Sequence, residues 1–290
     1  MSDVYTPPKV WTPDAENGGQ FSSVNRPTAG AREQVVLPEG QHGFQLYSLG
    51  TPNGVKVTVM LEELLEAGFA EAEYDAWMIK IFAGDQFGSG FVDLNPNSKI
   101  PALLDKTGPQ PFRVFESGAI LLHLAEKFDF LLPRTHPARA EVFSWLMWQM
   151  GSAPFIGGGF GHFYVYAPER YRYPIDRYAM ETKRLFDVAD QQLAKTEYLA
   201  GADYSIADIA AYTWLGNLFH GAYNRCDIFL SLDEYANVAR WVHAIDLRPG
   251  AIRGRLVNTQ AMPERHSAAD FDAVEDRTLF NPVRTRPDAL

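Results

Sequence analysis

The sequence predicts an α/β unit followed by an all-α unit. Three observations carry that expectation. Strand-like alternation and helix-like periodicity take turns from Phe44 to Phe128. Beyond Leu131-Leu132-Pro133-Arg134 the strand signals stop and long helical patterns replace them. Pro133 and Pro137 punctuate the change and mark a linker near 130–136.

Residues 1–43 are rich in Pro, Gly, Asn and Ser and poor in periodic apolar positions. They read as an irregular extension that Trp11, Phe21 and Val24 would pin to the body. Phe44 to Leu49 alternates as a strand does. Val55, Val59, Leu61, Leu64 and Leu65 then recur at helical spacing, and Gly68 offers a C-cap. Ala72 to Met78 suits a second strand. Gly84 to Gly90 is a loop leading into a short helix at Gly90–Leu94. Lys99 to Asp105 reads as a strand entered through Pro101, and Phe112 to Phe115 as another. Gly118 to Phe128 is a helix with Ile120, Leu121, Leu124 and Phe128 on one face. Helices follow at about 137–150, 175–194, 206–219 and 232–246, and the polar, Pro- and Arg-bearing end is expected to be extended over the surface or mobile. The expected division is an extension at 1–43, an α/β domain at 44–131, a helical domain at 137–250 and a tail at 251–290.

With 290 residues, 46% of them hydrophobic, there is ample material for a core. A net charge of -10 and a pI near 5.2 speak against a basic track for nucleic acid or anionic lipid. No apolar run is long enough to predict a membrane span, and the first residues lack a basic and apolar leader. Cys226 is the single cysteine, which excludes an internal disulfide framework, a CxxC pair and a cysteine zinc site. These features fit a cytoplasmic protein. His162 has no neighbour at ligand spacing, so no metal site is expected.

Chemistry concentrates where strands meet helices. Thr51-Pro52-Asn53-Gly54 places a hydroxyl and an amide at a helix N-terminus, where free N–H groups and the dipole favour an anion or thiolate. The plain alternative is a proline-initiated cap. The turn holds neither cysteine nor tyrosine, so a thiolate there must come from the substrate. Ile100-Pro101 would, if cis, turn the Ile100 N–H and C=O toward an extended peptide; a trans proline opening a strand is the commoner arrangement. Ser117, preceding a helix, reads as an N-cap or a carboxylate site, and Glu116 as an acceptor for a ligand ammonium. Ser205 and Asp208 have capping-box spacing, a structural role. Trp145, Trp148, Phe155, Phe160, His162, Phe163, Tyr164 and Tyr166 cluster about Gly157-Gly158-Gly159, either as packing or as a wall for a hydrophobic second substrate. Arg177 and Asp176 on their helix would by themselves be a solvated pair.

Lys99-Ile100-Pro101, Glu116-Ser117 before a helix and Ser205-Ile206-Ala207-Asp208 together resemble the glutathione transferases over roughly 44–250. Thr51-Pro52-Asn53-Gly54, Asn95-Pro96-Asn97-Ser98-Lys99-Ile100-Pro101 and Phe115-Glu116-Ser117-Gly118 resemble the Nu class of that family. The resemblance implies a thioredoxin-like first domain and a cis Ile100–Pro101 bond, with Ile100 pairing to the cysteinyl part of glutathione. It implies Glu116 and Ser117 at the γ-glutamyl group, Gln86 and Lys99 at the polar ends, and Thr51 and Asn53 facing the sulfur. It also implies Arg177 turned into the cleft, Asn25 approaching the glutathione site from the leader, and a homodimer. The class takes two glutathiones, or one oxidised pair, and favours disulfide reduction over conjugation. The implied activity is therefore glutathione-dependent disulfide reduction without a metal. Conjugation, peroxide reduction or ether cleavage on an aromatic substrate is one alternative. A non-catalytic glutathione-binding regulator is another, which the short leader of mixed composition disfavours. In similar chains a glutamine falls one position after Gln149, so Gln149 is not assigned as a ligand.

Overall fold

A computed structural model of the chain describes residues 5–14 and 19–280. Strands β1 (Phe44–Ser48), β2 (Tyr74–Met78), β3 (Ala102–Asp105) and β4 (Phe112–Phe115) form one four-stranded sheet in the order β2-β1-β3-β4. β1 runs parallel to β2, with Phe44 opposite Tyr74, and antiparallel to β3, with Phe44 opposite Asp105. The alternation of β1 sorts its side chains by face. Phe44 and Leu46 join the main core, whereas Tyr47 joins a smaller cluster with Ile79, Phe91 and Ala102.

Helices α1 (Pro52–Glu66) and α3 (Ser117–Phe128) contribute to the main core, and the short α2 (Ser89–Leu94) brings Phe91 to the smaller cluster. Gly68, at φ 94°, lies one residue beyond the Ala67 C-cap of α1, where a left-handed residue ends a helix without strain. The second strand starts at Tyr74 rather than Ala72, because Ala70–Ala72 closes as a tight 3-10 turn. The third starts at Ala102, since residues 99–101 line the approach to the sheet without joining its ladder.

The helical part comprises α4 (Ala138–Pro154), a π-helical run Phe155–Tyr166, α5 (Arg172–Leu193), α6 (Ile206–Phe219), α7 (Ala222–Phe229), α8 (Ala236–Asp246) and α9 (Pro249–Gly254). The π-helical run and α7 were not expected from periodicity. Residues 232–234, expected as the start of a long helix, form a separate 3-10 turn. α6 is apolar all round and buried continuously from Ile206 to Gly216, as a helix must be when other elements surround it. Its start is fixed by Ser205: the Ala207 N–H donates to Ser205 Oγ at 3.3 Å, and the Ser205 N–H donates to Asp208 Oδ2 at 3.0 Å. Ser205→Ala is expected to cost about 0.5–2 kcal/mol of unfolding free energy, read from urea denaturation.

The extension and the tail are both tied down. Phe21 stacks on Phe82 and meets Tyr166 edge-on, and Val24 is buried, while Trp11 is exposed. The segment expected as a surface tail instead buries Val257, Asn258, Met262 and Arg265. Arg265 pairs through its backbone with Ala76 on the outer edge of β2, and its side chain, fully buried, meets Glu62 and Glu73. The Asn258 carbonyl accepts the Gly50 N–H at 2.7 Å, tying the tail to the turn after β1.

Candidate functional site

α1 begins immediately after β1. Thr51 is its N-cap residue in extended backbone, and Pro52 follows, where its missing N–H costs nothing. The Val55 N–H is the first of the helix to bond back, to the Thr51 carbonyl at 2.9 Å. The Asn53 and Gly54 amides therefore stand at the positive end of the helix. Gly54 permits this close start, because a Cβ there would run into the Leu49 carbonyl and Ser48 Oγ.

Trp214 on α6 donates its indole N–H to Asn53 Oδ1 at 2.9 Å. An indole nitrogen only donates, so the Asn53 oxygen must face it and the amide NH2 is turned away. Asn53 lines a cavity of about 330 Å³, and among the described residues nothing accepts from that NH2. Trp214 is itself seated by the glycine run of the π-helix: a Cβ on Gly157 would come within 2.7 Å of its ring. Thr51 is half-buried with Oγ1 3.5 Å from the Leu49 carbonyl, and it is not among the residues lining the cavity.

The cavity gathers Asn53, Gln86, Lys99, Ile100, Glu116 and Ser117. The Ile100–Pro101 bond is cis. Asn95, 1% exposed, shapes the adjoining loop by donating to the Lys99 carbonyl at 2.6 Å and accepting from the Asn97 N–H at 2.9 Å. Gln86 is buried; its Nε2 donates to the Ile81 carbonyl at 3.0 Å, which leaves Oε1 without a partner among the described residues. Ser98 Oγ, also lining the cavity, is likewise buried and unpaired among the described residues. Buried polar atoms are seldom left so.

α3 opens on the same cavity. Ser117 is its first residue, not its N-cap as expected; Glu116 takes the cap position, and the Ile120 N–H bonds its carbonyl at 3.0 Å. Glu116 has φ 70°, a left-handed value that costs a non-glycine residue on the order of 1–3 kcal/mol and recurs at binding sites. Its exposed carboxylate accepts from Asn97 Nδ2 at 3.4 Å. With Lys99 exposed on the same cavity, the rim carries both signs of charge and suits a ligand with carboxylate and ammonium ends.

Beneath Ser117 lies Lys56 of α1, fully buried, which sequence reading passed over. Its Nζ donates to Gln149 Oε1 at 2.7 Å and lies 3.4 Å from Ser117 Oγ and 3.3 Å from Met150 Sδ. Burial draws its pKa down to about 7, against the opposing pull of Glu116. The available signal was a lone cation between Val55 and Val57 on a helix whose next charge is Glu62.

Other expected residues lie elsewhere. Asn25 is exposed and lines a neighbouring cavity of about 300 Å³ that shares Val24, Asn97, Ser98 and Lys99 with the first. Arg177 is exposed on α5, where its charge reaches Glu181, and it does not line the cavity. Cys226 is buried and burial pushes its thiol up to about 12, so it supplies no thiolate. No cysteine or tyrosine lines the cavity, and the described residues contain no cluster of three metal-ligating side chains.

Family models for the glutathione S-transferase N-terminal and C-terminal domains match residues 43–126 and 173–244. The chain is 53% identical to the disulfide-bond oxidoreductase YghU of Escherichia coli, over 96% of this chain and 99% of that protein. A glutathione transferase YghU from Streptococcus pneumoniae, solved with glutathione, is 56% identical and superposes with a TM-score of 0.86 over 89% of this chain and 99% of that one. A family member from Pseudomonas fluorescens, solved with two glutathiones bound, is 42% identical with a TM-score of 0.68, covering 74% of this chain and 92% of that one.

Proposed function

This chain belongs to the glutathione S-transferase family, and on that footing we propose that it is a disulfide oxidoreductase that uses glutathione as its thiol. One observation carries the reading: a turn equipped to hold a thiolate opens on a cavity that contains no protein thiol. The cavity fits the tripeptide in kind. Glu116 and Ser117 would take the zwitterionic γ-glutamyl end, the Ile100 backbone the cysteinyl part, and Gln86 and Lys99 the polar remainder. Asn25 from the leader and Arg177 from α5 would complete the site in a homodimer, with a partner chain supplying what one protomer holds apart.

In the proposed reaction the thiol proton leaves to solvent, and Asn53 Nδ2 together with the amides at the start of α1 stabilises the thiolate. Thr51 at the helix cap supports the same turn. The thiolate sulfur attacks one sulfur of the substrate disulfide; that bond breaks, and the departing thiolate takes up a proton. A second glutathione thiolate attacks the mixed disulfide at the glutathione sulfur, giving glutathione disulfide and a second substrate thiol. Two glutathiones are oxidised for each disulfide reduced. A fit to two glutathiones per subunit is part of the proposal, as is a cytoplasmic setting, where reduced glutathione is abundant. No helix among the described residues is long and apolar enough to cross a membrane.

The test is consumption of a small disulfide, 2-hydroxyethyl disulfide, with glutathione disulfide formation followed through glutathione reductase. Turnover that requires glutathione is expected. Conjugation of an electrophilic aromatic without any disulfide turnover would replace this reading.

A further inference from the structure

We propose that Lys56 is the positioning residue of the carboxylate end of the site: its Nζ fixes the Ser117 hydroxyl as a donor toward the ligand, and its amine takes up a proton when the ligand's carboxylate binds. This deepens the glutathione reading and rests on it.

Geometry makes the first half of the case. Nζ lies 3.4 Å from Ser117 Oγ and donates to it. When Lys56 is an ammonium it has no lone pair, so the Ser117 hydrogen cannot point back at it and needs another acceptor, whereas the neutral amine can accept that hydrogen. Among the described residues its one alternative is Met150 Sδ at 3.9 Å, a weak acceptor. Ser117 lines the cavity at the start of α3, so its O–H is free to meet a carboxylate held by the N-terminal amides of that helix. Gln149 bears the same mark. Its Oε1 faces Nζ, and its buried Nε2 has no partner among the described residues, so the amide is oriented by Lys56 alone.

Charge makes the second half. The hydrogen-bond partners of Lys56 are all neutral. On α3, only Glu116 acts on it through space; His123 and Lys127 engage Asp105, and Glu126 engages Arg139 of α4. Glu141 of α4 bonds Trp145. Asp208 of α6 is committed to the start of its own helix, and Arg253 of α9 to Glu62 and Glu66 of α1. A buried ammonium with neutral partners titrates near neutral pH, and here burial has drawn it to about 7. A carboxylate bound at Ser117 supplies the missing opposite charge, raises that pKa and draws in a proton.

Isothermal titration of the holo-length protein with S-methylglutathione tests this, because that probe has no thiol proton to release. Binding enthalpies measured at pH 7 in buffers of different ionisation enthalpy are expected to report uptake of about half a proton per site, falling toward zero near pH 5.5. Affinity is expected to be flat below pH 6 and to fall by up to about tenfold per pH unit above 7. Lys56→Met should weaken binding by about tenfold or more and abolish the uptake, raising KM for glutathione while kcat changes by less than about threefold. Binding with no buffer dependence, or uptake that persists in Lys56→Met, would overturn the proposal. Should Lys56→Met not fold, the wild-type linkage alone decides. Failure of S-methylglutathione to bind at all would instead overturn the glutathione reading beneath it.

Discussion

Asn53→Ala is expected to lower glutathione-dependent disulfide turnover by about ten- to a hundredfold at neutral pH, with the apparent pKa of the bound glutathione thiol rising by about one to two units. The expectation follows from the bond that fixes the side chain. Trp214 occupies Asn53 Oδ1, so the NH2 is presented to the cavity in a single orientation at the positive end of α1. Removing it takes away a donor aimed at the developing thiolate, together with the reason for its aim. Trp214→Phe is the companion variant: it spares Asn53 but frees its amide to rotate, and a smaller loss in the same direction is expected. Thr51 lies just outside the cavity, so Thr51→Ala alone should cost less than Asn53→Ala. The thiolate absorbance of bound glutathione, titrated with pH, reads the effect directly. If the Thr51→Ala, Asn53→Ala double variant turned over at the wild-type rate, the turn would have no part in the chemistry.

The largest loss of stability is expected at Asp208, with Asp208→Ala costing about 3–5 kcal/mol. This carboxylate is fully buried and accepts from the Leu199 N–H, the Ser205 N–H, Ser205 Oγ and Trp241 Nε1. It thus ties α6 to α8 and to the segment before α6. Alanine would strand several buried donors at once. Asp208→Asn keeps one acceptor oxygen and sets an NH2 against the Ser205 N–H, so a smaller cost of about 1–3 kcal/mol is expected.

The pH dependence separates the two effects. Burial outweighs the four donors and raises the Asp208 pKa to about 6, above its ordinary value of 3.8. The folded state therefore binds more protons than the unfolded state between those values. This group's contribution is most favourable below about pH 4 and is lost as pH rises through about 6. Urea midpoints of the wild type and of Asp208→Asn, compared from pH 4 to 7, should differ in slope as well as in level. Parallel curves would assign the pH dependence to other carboxylates.

The α/β order was legible because β1, α1, β3 and α3 carry clean periodicities and are bounded by glycine and proline. α6 was legible from its cap, since Ser205 and Asp208 encode its start in four residues. The π-helical run was not, because glycines 157, 159 and 161 serve the close approach of Trp214, Tyr178 and Tyr223 rather than helical patterning, and α7 was not, because Tyr223, Asn224 and Arg225 at its start take left-handed backbone and break the helical period. Asn53, Ile100, Glu116 and Ser117 could be named because they sit where strands meet helices or turns and local chemistry shows, whereas Gln86 and Lys99 were named only through the family resemblance. Lys56, whose one local sign is a lone cation in an apolar stretch, and Trp214 were missed, since each matters through a contact with a distant segment: Lys56 with Gln149, and Trp214 with Asn53. Arg265 escaped notice for the same reason, as its role depends on Glu62 and Glu73 far back along the chain.

The clasp formed by Asn258 and Arg265 bears on how the molecule comes into being. A ribosome delivers residues 50–54 well before residues 258–265, yet the Gly50 N–H takes its acceptor from Asn258 and the rim of β2 takes its backbone partner from Arg265. The turn after β1 and the rim of β2 therefore cannot complete their backbone pairing until residues 258–265 have emerged.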